Sequence, residues 1–303
     1  MTNTTGRSEG TGGTPRTGSL PMQVSGIVAK EFERSIRSYT LLALSALFVF
    51  SAGGLAAIAW VPIMFRGSPV DTSTLALLNS MRQPTVVLVP AIGIALGYAA
   101  IVGEVERGSI KLVLGLPVRR GAVVLGALFG RTAVLGVAVL VGYGVVGAIA
   151  LGFYATFDAA AFLGYSLLTV VYGMTYVAIA TGFSAFARSR GGALFGAIAL
   201  YALFMLFWDL LMIGLQYATV GATLPESGLP VWVQFVGLLN PANAFTVAAR
   251  GLVPEYAAVT TLPESDAVVL QPTVAVGILL AWIVVPIALG YLRFRVADLQ
   301  AAL

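Results

Sequence analysis

The chain has 303 residues, of which 58% are hydrophobic and only 10% charged, with a net charge of +4. Soluble domains carry about 25% charged residues, so a chain this apolar cannot wet the outer shell of a soluble fold. It has no cysteine and no histidine, which excludes disulfides, Cys or His metal centres and His-dependent catalytic triads.

Apolar runs of about 20 residues recur along the chain, and outer-membrane strand alternation is absent. The expected fold class is therefore an all-α polytopic membrane protein. Residues 1–24 open with a Thr-, Gly- and Ser-rich stretch and are expected to be a disordered cytoplasmic tail. In residues 25–39, Val28, Phe32, Ile36 and Tyr39 fall on one helical face, with Lys30, Glu31, Glu33, Arg34 and Arg37 on the others. That pattern predicts an amphipathic helix lying on the membrane surface; the alternative is an extension of the first span.

Residues 40–303 read as a six-span domain. The spans are expected at about 40–65, 84–103, within 122–157, and at about 162–187, 191–216 and 272–292. Pro272 suits the first turn of the last one. The extracytoplasmic segment 217–271 contains the apolar run Leu229–Leu239, too short to cross a bilayer, then Asn240-Pro241 and a second helical run. With Trp232, Asn240, Pro241 and Arg250 as its marker residues, it is expected to form a re-entrant helical hairpin before the last span. An interfacial hairpin lying flat is the alternative.

Fourteen of the seventeen Lys and Arg residues lie in the tail, in the loop after the second span, in the Arg188-Ser189-Arg190 turn and after the last span. Only Arg66, Arg82 and Arg250 fall on the other side. Positive loops stay inside, so both termini are expected in the cytoplasm of a multi-pass cell-membrane protein. The net charge is loop asymmetry and does not point to nucleic acid.

Inside the spans, Asp209 is the clear ionisable residue. An intramembrane carboxylate is a functional candidate by default, but one beside Trp208 at outer-leaflet depth also suits an interface cap or a pair with Arg250. Tyr143, Tyr165, Tyr172, Tyr176 and Tyr201 stand as candidate pathway aromatics, or as ordinary packing. The spans offer almost no buried charge for ion coupling and no catalytic set, so any uphill work needs a partner's energy. The candidate docking surface is the elbow at 104–121. There Glu104, Glu106, Arg107 and Lys111 form a charged rim, and Ser109 and Ile110 open a short apolar turn through Leu112 and Leu114. Pro117 redirects the chain, and Arg119 and Arg120 precede the next span.

The run from Glu104 through Glu106-Arg107-Gly108-Ser109-Ile110 to Leu114, Pro117 and Arg119-Arg120, followed by Val124-Leu125-Gly126-Ala127, resembles the segment after the second span of ABC-2 type transporter permeases. Ala127 stands where that pattern frequently has Lys. Leu239-Asn240-Pro241-Ala242-Asn243-Ala244-Phe245 resembles the run before their last span. Within the family, the resemblance is to permeases of nitrous-oxide-reductase and multi-copper-enzyme maturation. It implies a non-catalytic transmembrane permease subunit, cargo export, a homodimer, and a separate cytoplasmic ABC ATPase that carries ATP and Mg²⁺. The elbow would be its coupling helix. The resemblance implies no cofactor on this chain, and any copper handling would fall to other subunits. The absence of a G-x-x-x-x-G-K-[ST] motif fits that division. A stand-alone carrier or channel and a non-transporting membrane scaffold are the alternatives.

Overall fold

The computed structural model describes residues 19–37, 40–54, 71–106, 119–223, 228–260 and 265–296, without the side chains of 34–37, 40–42, 52 and 259. Every regular element among them is helical. Helix α1 is Leu20–Arg37, and α2 is Thr40–Phe48, continued by a π-helical turn Val49–Gly53. Next come α3 (Thr74–Gly97), α4 (Val102–Glu106), α5 (Arg120–Phe153) and α6 (Ala159–Ser184). Helix α7 (Arg190–Ala202) passes through a π-helical turn, Leu203–Phe207, into α8 (Trp208–Val220). A short hairpin, α9 (Val231–Leu238) and α10 (Pro241–Arg250), precedes α11 (Pro272–Val296).

Five helical stretches are long and apolar enough to cross a membrane: Thr74–Glu106, Arg120–Phe153, Ala159–Ser184, Arg190–Val220 and Pro272–Val296. Most of the first expected span, from residue 55 onward, lies outside the described residues. Helix α1 opens at Leu20, ahead of the expected start at residue 25, because Pro21 is tolerated in a first turn and Val24 extends the apolar face. The second span begins at Thr74, ten residues before the expected 84, with Pro84 and Pro90 inside the helix.

That helix survives its prolines because neighbours take up the freed backbone. Pro90 has no N–H, so the carbonyl of Val86 loses its intrahelical donor. The hydroxyl of Tyr172, on α6, reaches that carbonyl at 3.3 Å. Tyr201 bonds the next one, at Val87, from α7, also at 3.3 Å. Thr85 and Tyr143 pair their hydroxyls in the buried core.

Helix α6 is the centre of the bundle, packed along α3, α11 and α5 and touched by α10. The contacts are close because small residues meet there, the usual basis of helix packing in a bilayer. An added Cβ at Gly97 would lie 2.6 Å from the Cβ of Ala180, and one at Gly290 would lie 2.8 Å from the Cα of Gly182. Tyr143, Tyr165, Tyr172 and Tyr176 are all buried in the core. Tyr165 and Tyr172 pack on Phe245 of α10, with ring centroids 5.4 and 4.7 Å apart. These four candidate pathway aromatics therefore pack the bundle. By contrast, 67% of the apolar window of α6 is buried within the chain but only 6% of that of α7–α8.

The end of the bundle carrying Asp71 and Asp158 is closed by short polar bonds. Asp158 caps α6 by accepting from the amides of Ala160 (2.9 Å) and Ala161 (3.0 Å). Thr74 Oγ1 accepts from the amide of Asp158 at 2.8 Å. Burial first, and the nearby Asp71 carboxylate second, hold the Tyr154 hydroxyl above its ordinary range.

Candidate functional site

At the opposite end, the chain leaves α3 through a tight turn into α4. The side chain of Ser184, at the end of α6, accepts from the amides of Ile101 (3.1 Å) and Val102 (3.2 Å). Those amides open a helix and have no intrahelical acceptor. Glu106 closes α4 and reaches across to the start of α7. Its Oε1 accepts from the amide of Arg190 at 2.8 Å, and its Oε2 lies 3.1 Å from Arg190 Nε. Arg190 Nη2 donates to the carbonyl of Gly103 at 2.9 Å. Ser189 adds the N-cap, accepting from the amide of Gly192 at 3.1 Å.

The electrostatics explain why the clamp forms here. The start of α7 carries partial positive charge from its unpaired amides, and Arg190 adds a full one. A carboxylate answers both. The pair is partly exposed, 40% at Arg190 and 37% at Glu106, so the ion pair alone adds only about 0.2–1 kcal/mol. The charge-assisted bond to the amide makes the contact directional.

The far end of the elbow is tied to other helices. The amide of Arg119 donates to Gln23 Oε1 on α1 at 2.9 Å. Arg120 Nη1 donates to the carbonyls of Phe294 (2.8 Å) and Arg295 (2.9 Å), and its guanidinium lies 5.6 Å from the Phe294 ring centroid. Arg120 thus caps the last turn of α11. About three turns deeper along α5, Arg131 lies 3.9 Å from Glu31 of α1 and donates to the carbonyl of Leu96. It joins three helices. An added Cβ at Gly130 would lie 2.7 Å from the Cβ of Glu31, so the absence of a side chain lets α1 lie close on α5.

The expected elbow residues divide accordingly. Glu104, Glu106, Arg119 and Arg120 are placed, whereas Arg107, Ser109, Ile110, Lys111, Leu112, Leu114 and Pro117 lie outside the described residues. The partners Arg190, Ser184 and Gln23 were missed by sequence reasoning. One signal did exist: a basic residue at the first position of a helix opposes the dipole, and the acids near this end are few.

Of the hairpin residues, Asn240 and Pro241 meet at the tip, whereas Trp232 and Arg250 lie apart from it. Asn240 is buried; its Oδ1 caps α10 at the amide of Ala242 (2.8 Å), and its Nδ2 donates to the carbonyl of Phe204 (2.8 Å). Phe204 lies within the π-helical turn, where the bonding pattern of α7 is already broken. Trp282 Nε1, on α11, donates to the carbonyl of Leu239 at 2.9 Å. Pro241 takes the first turn of α10, and Trp232 is exposed. Arg250 Nη2 lies 2.6 Å from Thr260 Oγ1. The Asp209–Arg250 pair, one of the two structural roles open to Asp209, is not formed among the described residues. Asp209 is exposed in the first turn of α8.

A family model described as "ABC-2 family transporter protein" matches residues 26–299. The chain belongs to the ABC-2 family of transporter proteins. It is also 32% identical over 278 residues to the probable ABC transporter permease protein NosY of Stutzerimonas stutzeri, covering 90% of this chain and 98% of that protein. The protein of the same name from Pseudomonas aeruginosa is 31% identical over 241 residues, covering 75% of this chain and 85% of the relative. As an ABC-2 protein the chain is a transmembrane permease subunit of an ABC transporter, and the family implies an ATPase in a separate subunit. No group of three or more acidic residues suited to a metal ion occurs among the described residues of this ABC-2 chain.

Proposed function

We propose that the chain is one half of an ATP-driven exporter in the cell membrane. It works as a homodimer, with a cytoplasmic ABC ATPase under each copy that holds ATP and Mg²⁺. Residues 104–121 are the elbow on which the ATPase acts, and both termini lie on that side, in keeping with the distribution of Lys and Arg. This chain binds no cofactor and no nucleic acid.

The observation that carries the reading is the clamp between Glu106 and Arg190. A push on the elbow reaches the start of α7 through a carboxylate bonded at 2.8 Å to its first amide. From there α7 runs to the Phe204 carbonyl, held by Asn240 at 2.8 Å, and the hairpin tip passes to Trp282 of α11. The hairpin is re-entrant in this reading. Trp282 lies ten residues into α11, about 15 Å at 1.5 Å per residue, which is half of a hydrocarbon layer of about 30 Å.

A stand-alone carrier fits less well. It needs a protected ionisable site near the midplane. Asp209 is exposed, and the helix rises about 28 Å between Arg190 and Asp209. That brings the carboxylate near the far edge of the layer, where headgroup water reaches it.

The test uses the permease reconstituted with its ATPase. Ile110→Asp with Leu114→Asp should release the ATPase. Glu106→Gln and Arg190→Gln should leave it bound and lower permease-stimulated ATP hydrolysis about fivefold or more, the scale of an ordinary coupling free energy. The charge swap Glu106→Arg with Arg190→Glu should recover part of the loss. If the docking variants keep both ATPase binding and coupled hydrolysis, the elbow reading is wrong.

A further inference from the structure

We infer that the chain holds a phospholipid with an anionic headgroup in a groove between α5 and α11, at the Arg120 end of the bundle. The groove has a volume of about 560 Å³. Its walls include Val124 and Leu128 of α5, Val284 and Ala288 of α11, and Met174 of α6 at the back. Its polar side chains are Arg119 and Tyr291.

Three features select the occupant. The first is depth. From Arg119 to Leu128 the helix rises about 14 Å, close to the hydrocarbon thickness of one leaflet, about 15 Å. An acyl chain entering beside Arg119 therefore stays within apolar walls for its leaflet's full depth. The second is charge. Arg119 is exposed, and its guanidinium makes no hydrogen bond or ion pair among the described residues, since its amide is the group that meets Gln23. Arg295 is also exposed and falls one turn beyond Tyr291 on the same face of α11. Arg119 thus lines the mouth at headgroup level, and Arg295 stands one helical turn beyond its Tyr291 wall. The third is the opening itself. Gly121 stands at the mouth, and the ring of Tyr291 lies 3.4 Å from where its Cβ would be. The small residue lets the aromatic ring lie back against α5, which leaves the entrance clear. A neutral groove would accept any chain; these arginines favour a phosphate without a compensating amine.

The site does not depend on the coupling reading, so it is read through bound lipid and not through ATP hydrolysis. The full chain is placed in nanodiscs of phosphatidylcholine with a minor share of phosphatidylglycerol. Lipid retained after release is counted by native mass spectrometry. The wild-type chain should retain phosphatidylglycerol in preference to phosphatidylcholine. Arg119→Gln and Arg295→Gln, at exposed positions that spare the fold, should each reduce that preference about fivefold. Ala288→Trp, which fills the groove from an exposed position, should remove the retained lipid altogether. Equal retention of the two lipids, a preference unchanged in the double arginine variant, retention that survives Ala288→Trp, or no retained lipid at all would each overturn the proposal.

Discussion

Single hydroxyls decide whether the prolines of this bundle can be borne. Pro90 leaves the Val86 carbonyl without its intrahelical donor, and the Tyr172 hydroxyl lies 3.3 Å from it. Tyr172→Phe keeps the ring stacked on Phe245 and removes only the donor, leaving a half-buried carbonyl unpaired. The expected cost is about 1–3 kcal/mol in thermal or denaturant unfolding of the purified chain. Pro90→Ala restores the amide, so in that background the same Tyr172→Phe change should cost at least about 1 kcal/mol less. Equal costs in the two backgrounds would mean that the hydroxyl is not serving the proline gap. The same residues mark a limit of reading from sequence. Pro84 signalled a helix start because local rules place proline in a first turn, whereas in a bilayer a neighbouring hydroxyl can complete an interrupted helix. Glu106 was legible as a charged elbow residue. Its partner Arg190 was not, since the pairing joins residues far apart in the chain and depends on α4 and α7 lying side by side.

At the scale of elements, glycines set how closely the helices approach. Gly182 on α6 faces the backbone of Pro286 on α11, and its Cα is 2.8 Å from where a Cβ on Gly290 would be. Gly182→Ala therefore has to push two backbones apart, a change that costs about 1–3 kcal/mol. Gly277, on the same α11, has nothing within 4 Å of its would-be Cβ. Gly277→Ala should stabilise by about 0.5–1 kcal/mol through helix propensity alone. Unfolding midpoints measured in one detergent give the sign of each change, and a destabilised Gly277→Ala would show that its open face is covered by something beyond this chain. Helix existence and order were readable from hydropathy because each span is a long apolar run. The Asn240-Pro241 break was readable because that pair ends one helix and caps the next. The π-helical turn at Leu203–Phe207 was not readable, since no Gly or Pro marks it and its stabilising bond comes from Asn240.

For the whole molecule, sidedness is the property on which the coupling proposal leans, and the composition makes it directly measurable. The native chain has no cysteine, so single reporters can be added without removing any. Ser189 precedes α7 in the same turn as Arg188 and Arg190, beside Glu106, and Ala155 lies between α5 and α6 near Asp158. These positions stand at opposite ends of the bundle. Fourteen of the seventeen basic residues fall in the N-terminal tail, the loop after the second span, the Arg188-Ser189-Arg190 turn and the segment after the last span. Moving that many cations across a bilayer is opposed both by their hydration and by the membrane potential. Ala155→Cys is therefore expected to react with a membrane-impermeant maleimide in intact cells. Ser189→Cys should react only after permeabilisation, even though its neighbours are exposed in the bundle. Ser189 caps α7 through the Gly192 amide at 3.1 Å, and the cysteine loses most of that bond, so Arg188→Cys serves as a second reporter outside the cap. Labelling of the Ser189 and Arg188 reporters from outside, with protection of Ala155→Cys, would turn the molecule over. It would place the Glu106–Arg190 clamp out of reach of any cytoplasmic ATPase.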